Sequence, residues 1–403
     1  MRRPTALALL LVSLTAVPAG AGSDPFRPQQ WALDVVGARE GWRAGAGKGV
    51  TIAVVDTGVD LEHEDLADRL LRGRDFVDGG APQDEHGHGT HVAGIAAAAA
   101  GNGRGVAGVA PAASILPVRV LDENGSGSAR DVARGIRWAV DRGARVVNLS
   151  LGDLGEPLFG PAFDEAIAYA WSRGAIAVVA AGNEYLLSSG YSDQDAIVVS
   201  ATDREDRKPA YASGVGRAKW GMAAPGGAGE TAGREEDDIL STYWRPGRRN
   251  AYAYLAGTSM AAPHVSGAAA VLLSRGLPPR ETVRRLLRTA ADLGAQGPDA
   301  TFGHGRLDVA AAVEGLGRSA GAGESEEPDE GARTEEPSPS PEERASEEPE
   351  PRAAPSSPPP EEGPGGTATG GEGSPVAPIA TGLLVLALAG GVAWVLFRPG
   401  PEA

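Results

Sequence analysis

The stretch Ala256-Gly257-Thr258-Ser259-Met260-Ala261-Ala262-Pro263-His264-Val265-Ser266-Gly267, continued by Ala268-Ala269-Ala270-Val271-Leu272-Leu273, decides how the rest of the chain is read. A polar turn holding Ser259 runs straight into small and apolar residues at helical spacing. Ser259 is therefore expected near a helix N-terminus, where free N–H groups and the positive end of the macrodipole favour developing negative charge. Pro263 falls in the first turns, where a missing N–H costs little. A serine so placed suits a nucleophile, because the oxyanion it generates already faces donors. Thr258 and Ser259 would serve equally well as caps of a buried helix. A base and an acid elsewhere in the chain would decide between these readings.

Outward from that helix, composition separates one globular unit from its appendages. Residues 1–21 have a basic start (Arg2, Arg3), an apolar run from Ala6 to Val12 and the small residues Ala19-Gly20-Ala21, the pattern of a secretory signal peptide. The 403 residues include no cysteine. Disulfides and thiol catalysis are thereby excluded, and stability must rest on the core, on bound ions or on both. Residues 318–375 are dominated by Glu, Pro, Ser, Gly and Ala, and their 15 carboxylates against 4 arginines account for 11 of the 16 net negative charges. This segment is expected to be an extended, solvated linker. The net acidity belongs to it rather than to a substrate site, and nucleic acid is not an expected partner. Residues 376–397 carry no charge and include Leu383-Leu384-Val385-Leu386-Ala387-Leu388; about 20 apolar residues cross a bilayer as a helix. With Trp394 at an interface and Arg398 directly after, residues 398–403 read as a cytoplasmic tail. The chain is thus expected to be a single-pass protein of the cell membrane with its globular part extracytoplasmic.

That globular part, residues 22–317, alternates short apolar runs with helical stretches. The runs are Val50 to Val55, Ser114 to Val120, Arg145 to Leu149, Ala175 to Ala180 and Ala196 to Ala201; helices are expected over His88 to Ala100, Ala129 to Asp141 and Pro161 to Arg173. Strands apolar on both faces and alternating with helices indicate an α/β fold with a mainly parallel sheet flanked by helices. Function in such sheets gathers at the carboxyl ends of the strands.

The first strand ends in Asp56-Thr57-Gly58-Val59-Asp60, where Asp56 suits an acid, a metal ligand or a turn. The helix after it is preceded by Asp84-Glu85-His86-Gly87-His88-Gly89-Thr90-His91-Val92-Ala93-Gly94. Clustered histidines can hold zinc, but the Glu that follows the first His in zinc-protease helices is absent here, as is the four-residue spacing. Asp56, His88 and Ser259 follow one another in the order acid, base, nucleophile.

On Asp56-Thr57-Gly58, His88-Gly89-Thr90-His91-Val92-Ala93-Gly94 and Gly257-Thr258-Ser259-Met260-Ala261, the chain resembles the subtilisin-family (subtilase) serine proteases, with details similar to thermitase-type members. The likeness runs from about Asp24 to Gly315 and implies a three-layer subtilisin-like fold acting as a serine endopeptidase. It implies Asp56, His88 and Ser259 as the catalytic triad, and Asn183 in Ala180-Ala181-Gly182-Asn183 as an oxyanion donor. His63, His91 and His264 then take supporting roles. Ser150-Leu151-Gly152 and Gly125-Ser126-Gly127 match the backbone segments between which peptide substrates lie as an added strand. Glu184 would sit at the rim of the primary specificity pocket, favouring basic side chains or facing water.

The same likeness implies structural calcium and no organic cofactor. Asp24, Asp65, Asn102 and the carbonyls of Ala99, Arg104 and Val106 match a strong site, and this set of oxygens suits calcium. Asp75, Asp78 and Gln83 match a second site, although Gly80 replaces one carboxylate and the loop is a residue shorter. Asp24-Pro25 follows the signal segment almost at once, leaving no room for a folding prodomain. The anchored layout resembles the mycosins, subtilases associated with type VII secretion, which would make a secretion complex a partner besides protein or peptide substrates. A catalytically silent fold serving as a scaffold is the rival reading, opposed by the complete triad and oxyanion set. Within the protease reading, a specific processing enzyme and a broad degrader remain open.

Overall fold

The computed structural model describes residues 23–151, 160–183, 193–229, 234–316 and 398–399. The expected signal peptide, linker and membrane span lie outside the described residues, as do Gly152 and Glu184. Among the described residues, no helix is long and apolar enough to cross a membrane.

Strands β1 (Thr51–Asp56), β2 (Arg74–Asp75), β3 (Ser114–Arg119), β4 (Val146–Leu149), β5 (Ile176–Ala180), β6 (Ala196–Thr202) and β7 (Trp220–Pro225) form a parallel sheet in the order β2-β3-β1-β4-β5-β6-β7. Side chains alternate between its faces. Ile52 and Val54 enter one core, Ala53 and Val55 the other, and all four are fully buried. This two-sided burial is why the strands read as unbroken apolar runs. A hairpin of β8 (Ile239–Arg245) and β9 (Arg248–Leu255) stands apart from the sheet, and the backbone of β10 (Arg398–Pro399) pairs with β9.

Helices α1 (Trp31–Val35), α2 (Ala38–Ala44), α3 (His88–Ala97), α6 (Thr258–Ser274), α7 (Pro279–Thr289) and α8 (Val309–Val313) share the first core; α4 (Ala129–Asp141) and α5 (Pro161–Ser172) fill the second. Helix α3 stops at Ala97, short of the expected Ala100, because Ala98 turns to extended backbone and the Ala99 N–H is given to the Asp65 carbonyl. Every residue of α6 from Thr258 to Leu273 is buried. Its small side chains allow this: a Cβ on Gly267 would lie 2.6 Å from Val109 Cβ.

The chain builds β1, β2 and β3 to one side, then crosses to build β4 through β7 on the other. The order therefore reverses beside β1, and in sheets of this kind ligands bind outside the carboxyl ends of the strands at such a reversal, here those of β1 and β4. Helices α3 and α6 pack together, and His88 and Ser259 lie in their first turns.

Candidate active site

Asp56, the last residue of β1, is fully buried, and its Oδ1 accepts hydrogen bonds from His88 Nδ1–H at 2.7 Å and Thr57 N–H at 2.8 Å. The carboxylate fixes the imidazole tautomer with hydrogen on Nδ1, so Nε2 is left to take a proton. Gly89 makes this contact possible. A Cβ there would lie 2.1 Å from the Gly58 carbonyl oxygen and 3.1 Å from Asp56 Cβ, so only glycine lets α3 start against the end of β1. Burial pushes the His88 pKa down, but the charge and hydrogen bond of Asp56, with the charge of Asp84, outweigh it and hold the ring above 6.5.

Ser259 is the second residue of α6, whose N-cap is Gly257, and neither Thr258 nor Ser259 caps it with its own side chain. The capping reading of Thr258 and Ser259 is thereby set aside. Ser259 Oγ reaches the Ser150 carbonyl at 3.5 Å, the limit of a hydrogen bond, rather than His88. Long or unformed bonds between such groups are common before substrate binds. Ser150 holds the nucleophile from a second direction, its Oγ donating to the Ser259 carbonyl at 2.8 Å. Behind it Ser266 donates to Asn148 and Asn148 donates to Ser150, a buried chain linking α6 to β4.

Asn183 follows β5. Its Oδ1 accepts both the Thr258 N–H and the Thr258 hydroxyl at 2.9 Å. A backbone N–H can only donate, so this pair of bonds fixes which end of the amide is oxygen. The Nδ2 end is thereby turned to the backbone ahead of the nucleophile: a Cβ on Gly257 would lie 3.2 Å from Asn183 Nδ2 and 3.6 Å from the Ser259 nitrogen. The Asn183 amide and the Ser259 N–H thus lie beside the same stretch of backbone at Gly257.

The two backbone segments of the expected substrate cleft are only partly described. Ser150 and Leu151 are buried. The Gly125 N–H and the Ser126 carbonyl close a turn on Asp122, and a Cβ on Gly127 would lie 2.4 Å from the Val120 carbonyl oxygen.

This arrangement suits acyl transfer from a carbonyl to a serine, with an imidazole in the first turn of one helix, a serine in the first turn of another and an amide side chain from the turn after β5 beside it. Comparison with known proteins narrows the chemistry. Residues 47–305 match the Subtilase family, Peptidase S8, and the chain belongs to that family. It is a subtilisin-like serine endopeptidase. Thermitase from Thermoactinomyces vulgaris is 40% identical over 296 residues, covering 72% of this chain and 99% of its own. Subtilisin Savinase from Lederbergia lenta is 38% identical over 291 residues, covering 70% and 98% respectively. A solved protease from Pseudoalteromonas arctica PAMC 21717 superposes with a TM-score of 0.65 at 32% identity, covering 73% of this chain and 99% of that one.

The metal expectations divide. Asp24 accepts N–H bonds from Gly101, Asn102 and Gly103, at 2.8, 3.0 and 3.2 Å. Asp65 accepts from Asn102 Nδ2, the Val106 N–H and the Tyr252 hydroxyl, each at 2.9 Å. Both carboxylates are buried, and Arg104, on the same loop, turns to Glu64 instead. The oxygens of Asp24 and Asp65 are of the kind calcium takes, but Asn102 turns its NH2 to Asp65 while its Oδ1 accepts the Arg104 N–H, and no cluster of three His, Cys, Asp or Glu gathers among the described residues. The second set is corrected. Asp75 and Asp78 do converge, but on the buried Arg119 guanidinium at 2.9 and 2.8 Å, with Glu85 on its other nitrogen at 2.9 Å. An arginine from the end of β3 already supplies the positive charge. Gln83 turns away, to the Leu61 N–H and the Asp84 carbonyl. No cation site is assigned there.

Three of the other five histidines bond to backbone carbonyls. His63 and His91 donate from Nε2 to the Ala251 and Ala253 carbonyls of β9, and His264 donates from Nδ1 to the Met260 carbonyl. Burial is the main cause that lowers the pKa of His91 to about 3 and of His264 to about 4. Because both bind protons near pH 6.5 only when unfolded, stability should fall as pH drops below 6.5. At pH 5 each ring should cost about 2 kcal/mol. His88 acts oppositely: its raised pKa contributes stability below 6.5 that is lost as pH rises through the folded value. Urea unfolding of a Ser259→Ala protein at pH 7 and pH 5 measures the balance. A His264→Asn change in that background should flatten the slope, and an unchanged slope would remove His264 from the account.

Several working residues gave little sign in the sequence. Asp84, Thr57 and Thr90 lie inside the motif blocks, yet their joint hydrogen bonding is invisible there. The available signal was an Asp three residues before Gly87, the spacing of a side chain capping a turn.

Proposed function

We propose that the enzyme cleaves extended protein segments outside the cytoplasmic membrane through an acyl-enzyme on Ser259. The buried Asp56–His88 pair at 2.7 Å, with Asn183 Nδ2 turned towards the Ser259 backbone, is the observation that carries this reading. Substrate lies between Gly125–Gly127 and Ser150–Gly152. Ser259 Oγ attacks the scissile carbonyl as His88 Nε2 takes its proton, and the Ser259 N–H and Asn183 Nδ2 hold the oxyanion. Collapse expels the amine, which receives the proton from His88. Water, deprotonated by the same ring, then releases the acid and regenerates the serine. Casein hydrolysis by the full chain, and its labelling by a fluorophosphonate lost in Ser259→Ala, test this against the scaffold reading.

A single span at residues 376–397 would anchor the enzyme, supported by an uncharged stretch of bilayer length; the pairing of Arg398 and Pro399 with β9 counts against placing residues 398–403 across the membrane from the catalytic domain. Alkaline carbonate extraction of membranes tests it; release of the full chain would refute the anchor. An association with a type VII secretion-like assembly has the anchored layout as its only support.

Calcium at Asp24, Asp65 and Asn102 would tie the start of the domain to the loop after α3. An ion that binds only the folded state, at a thousandfold excess over Kd, contributes about 4 kcal/mol. Chelation should therefore lower the melting temperature and speed autolysis. Calcium but not zinc should restore both, and Asp65→Asn should reproduce part of the loss. Equal melting with and without chelator would remove the site.

A further inference from the structure

The turn ahead of α3 is organised around a carboxylate that the triad does not use. Asp84 is fully buried and receives five hydrogen bonds. Its Oδ1 accepts from Thr57 Oγ1 at 2.9 Å and from the N–H groups of His86 and Gly87 at 3.0 and 2.8 Å. Its Oδ2 accepts from the Thr90 N–H at 2.9 Å and Thr90 Oγ1 at 2.6 Å. Five donors facing one side chain is the pattern of an ionised carboxylate. The nearby Arg119 spends its contacts on Asp75, Asp78 and Glu85. The N–H groups at the start of α3 therefore supply the positive environment for Asp84.

Both hydroxyls pass the constraint onward. Thr57 Oγ1 accepts the Gly89 N–H at 3.0 Å, and Thr90 Oγ1 accepts the Asp60 N–H at 2.8 Å. Directly or through one hydroxyl, Asp84 thus holds the backbone at positions 86, 87, 89 and 90, on both sides of His88.

We infer that Asp84 is a positioning residue for His88: it fixes the backbone that presents the imidazole to Asp56 and Ser259, and its charge supports the imidazolium formed during turnover. The inference rests on His88 as the base. A residue that merely capped α3 would affect folding alone, whereas this role affects turnover and its pH dependence. The groups that face the imidazole are Asp56 from β1, Asp84 and His86 from the turn, His91 one helical turn on, and Tyr243 of β8 through its bond to the His86 carbonyl. Among these, Asp56 and Asp84 are the anions that favour a protonated ring.

The test compares Asp84→Asn with wild type in the full chain. The substitution keeps the shape, removes the charge and sets an NH2 group against donors. We expect kcat to fall about 10- to 100-fold with KM little changed, the effect of a small displacement of a reacting group. We also expect the acid limb of kcat/KM to move to lower pH, because an anion that raised the His88 pKa is gone. Thr57→Val cuts one arm without touching charge, so it should lower kcat and leave the acid limb in place. A folded Asp84→Asn protein with wild-type kcat and acid limb would overturn the inference. Should Asp84→Asn not fold, Thr57→Val and Thr90→Val decide: wild-type kcat in both would overturn it, and reduced kcat at native melting temperature would support it. A wild-type protein without hydrolysis would instead refute His88 as base, which keeps the two failures distinguishable.

Discussion

A Ser259→Ala protein is expected to lose peptidase turnover by about a millionfold, the size of the loss when the same group is removed from subtilisin, while melting as the wild type does. Stability should hold because the hydroxyl has little to give up: its contact to the Ser150 carbonyl is 3.5 Å long. His88→Ala should be as damaging, and the double variant no worse than either, since a proton acceptor without a nucleophile has nothing to accept. Asp56→Asn should cost about 10⁴-fold, because an amide NH2 opposite Nδ1 would favour the wrong tautomer. Active-site titration with a fluorophosphonate separates loss of chemistry from loss of protein. Near wild-type turnover in Ser259→Ala would mean that another group is acylated.

The next largest effect is expected at Asn183. Its Oδ1 is committed to Thr258 and its Nδ2 is the part available to an oxyanion, so the two ends can be separated by mutation. Asn183→Asp keeps an acceptor for Thr258 but replaces the donor, and Asn183→Leu removes both. Both should lower kcat by about 10²–10³-fold, the scale of one lost oxyanion donor, with KM little changed. Only Asn183→Leu should also lower the melting temperature, because it leaves the Thr258 N–H at the head of α6 unmet. An effect confined to KM would place Asn183 in substrate binding instead.

What could be read from the sequence followed from how local each signal is. Five of the seven strands of the parallel sheet announce themselves because burial on both faces makes them uninterrupted apolar runs, as in Val50 to Val55, while the two-residue β2 (Arg74–Asp75) and β7 (Trp220–Pro225) went unread. Asp56, His88 and Ser259 lie in short blocks whose order identifies them. The β8–β9 hairpin escaped notice because its middle is polar and arginine-rich around Pro246-Gly247, without the apolar alternation of a half-buried strand. The proposed cation site at Asp75 and Asp78 failed for a different reason. Its counter-charge arrives from Arg119, more than forty positions away, and no spacing rule reports a residue brought in by tertiary folding. Asp84 adds both a distant partner, Thr57 at 27 positions, and near ones whose importance lies in a turn geometry that the letters do not display.

The burial of α6 bears on how the enzyme fails with heat. Catalytic groups on loops can open at lower free energy than the body of a protein. Here Ser259 belongs to a helix buried from Thr258 to Leu273, packed against α3 and the central strands. Such a segment opens only with the whole fold. The temperature at which hydrolysis ceases should therefore coincide with the calorimetric transition, and thermal inactivation will follow the rate of global unfolding rather than any early softening of the catalytic centre.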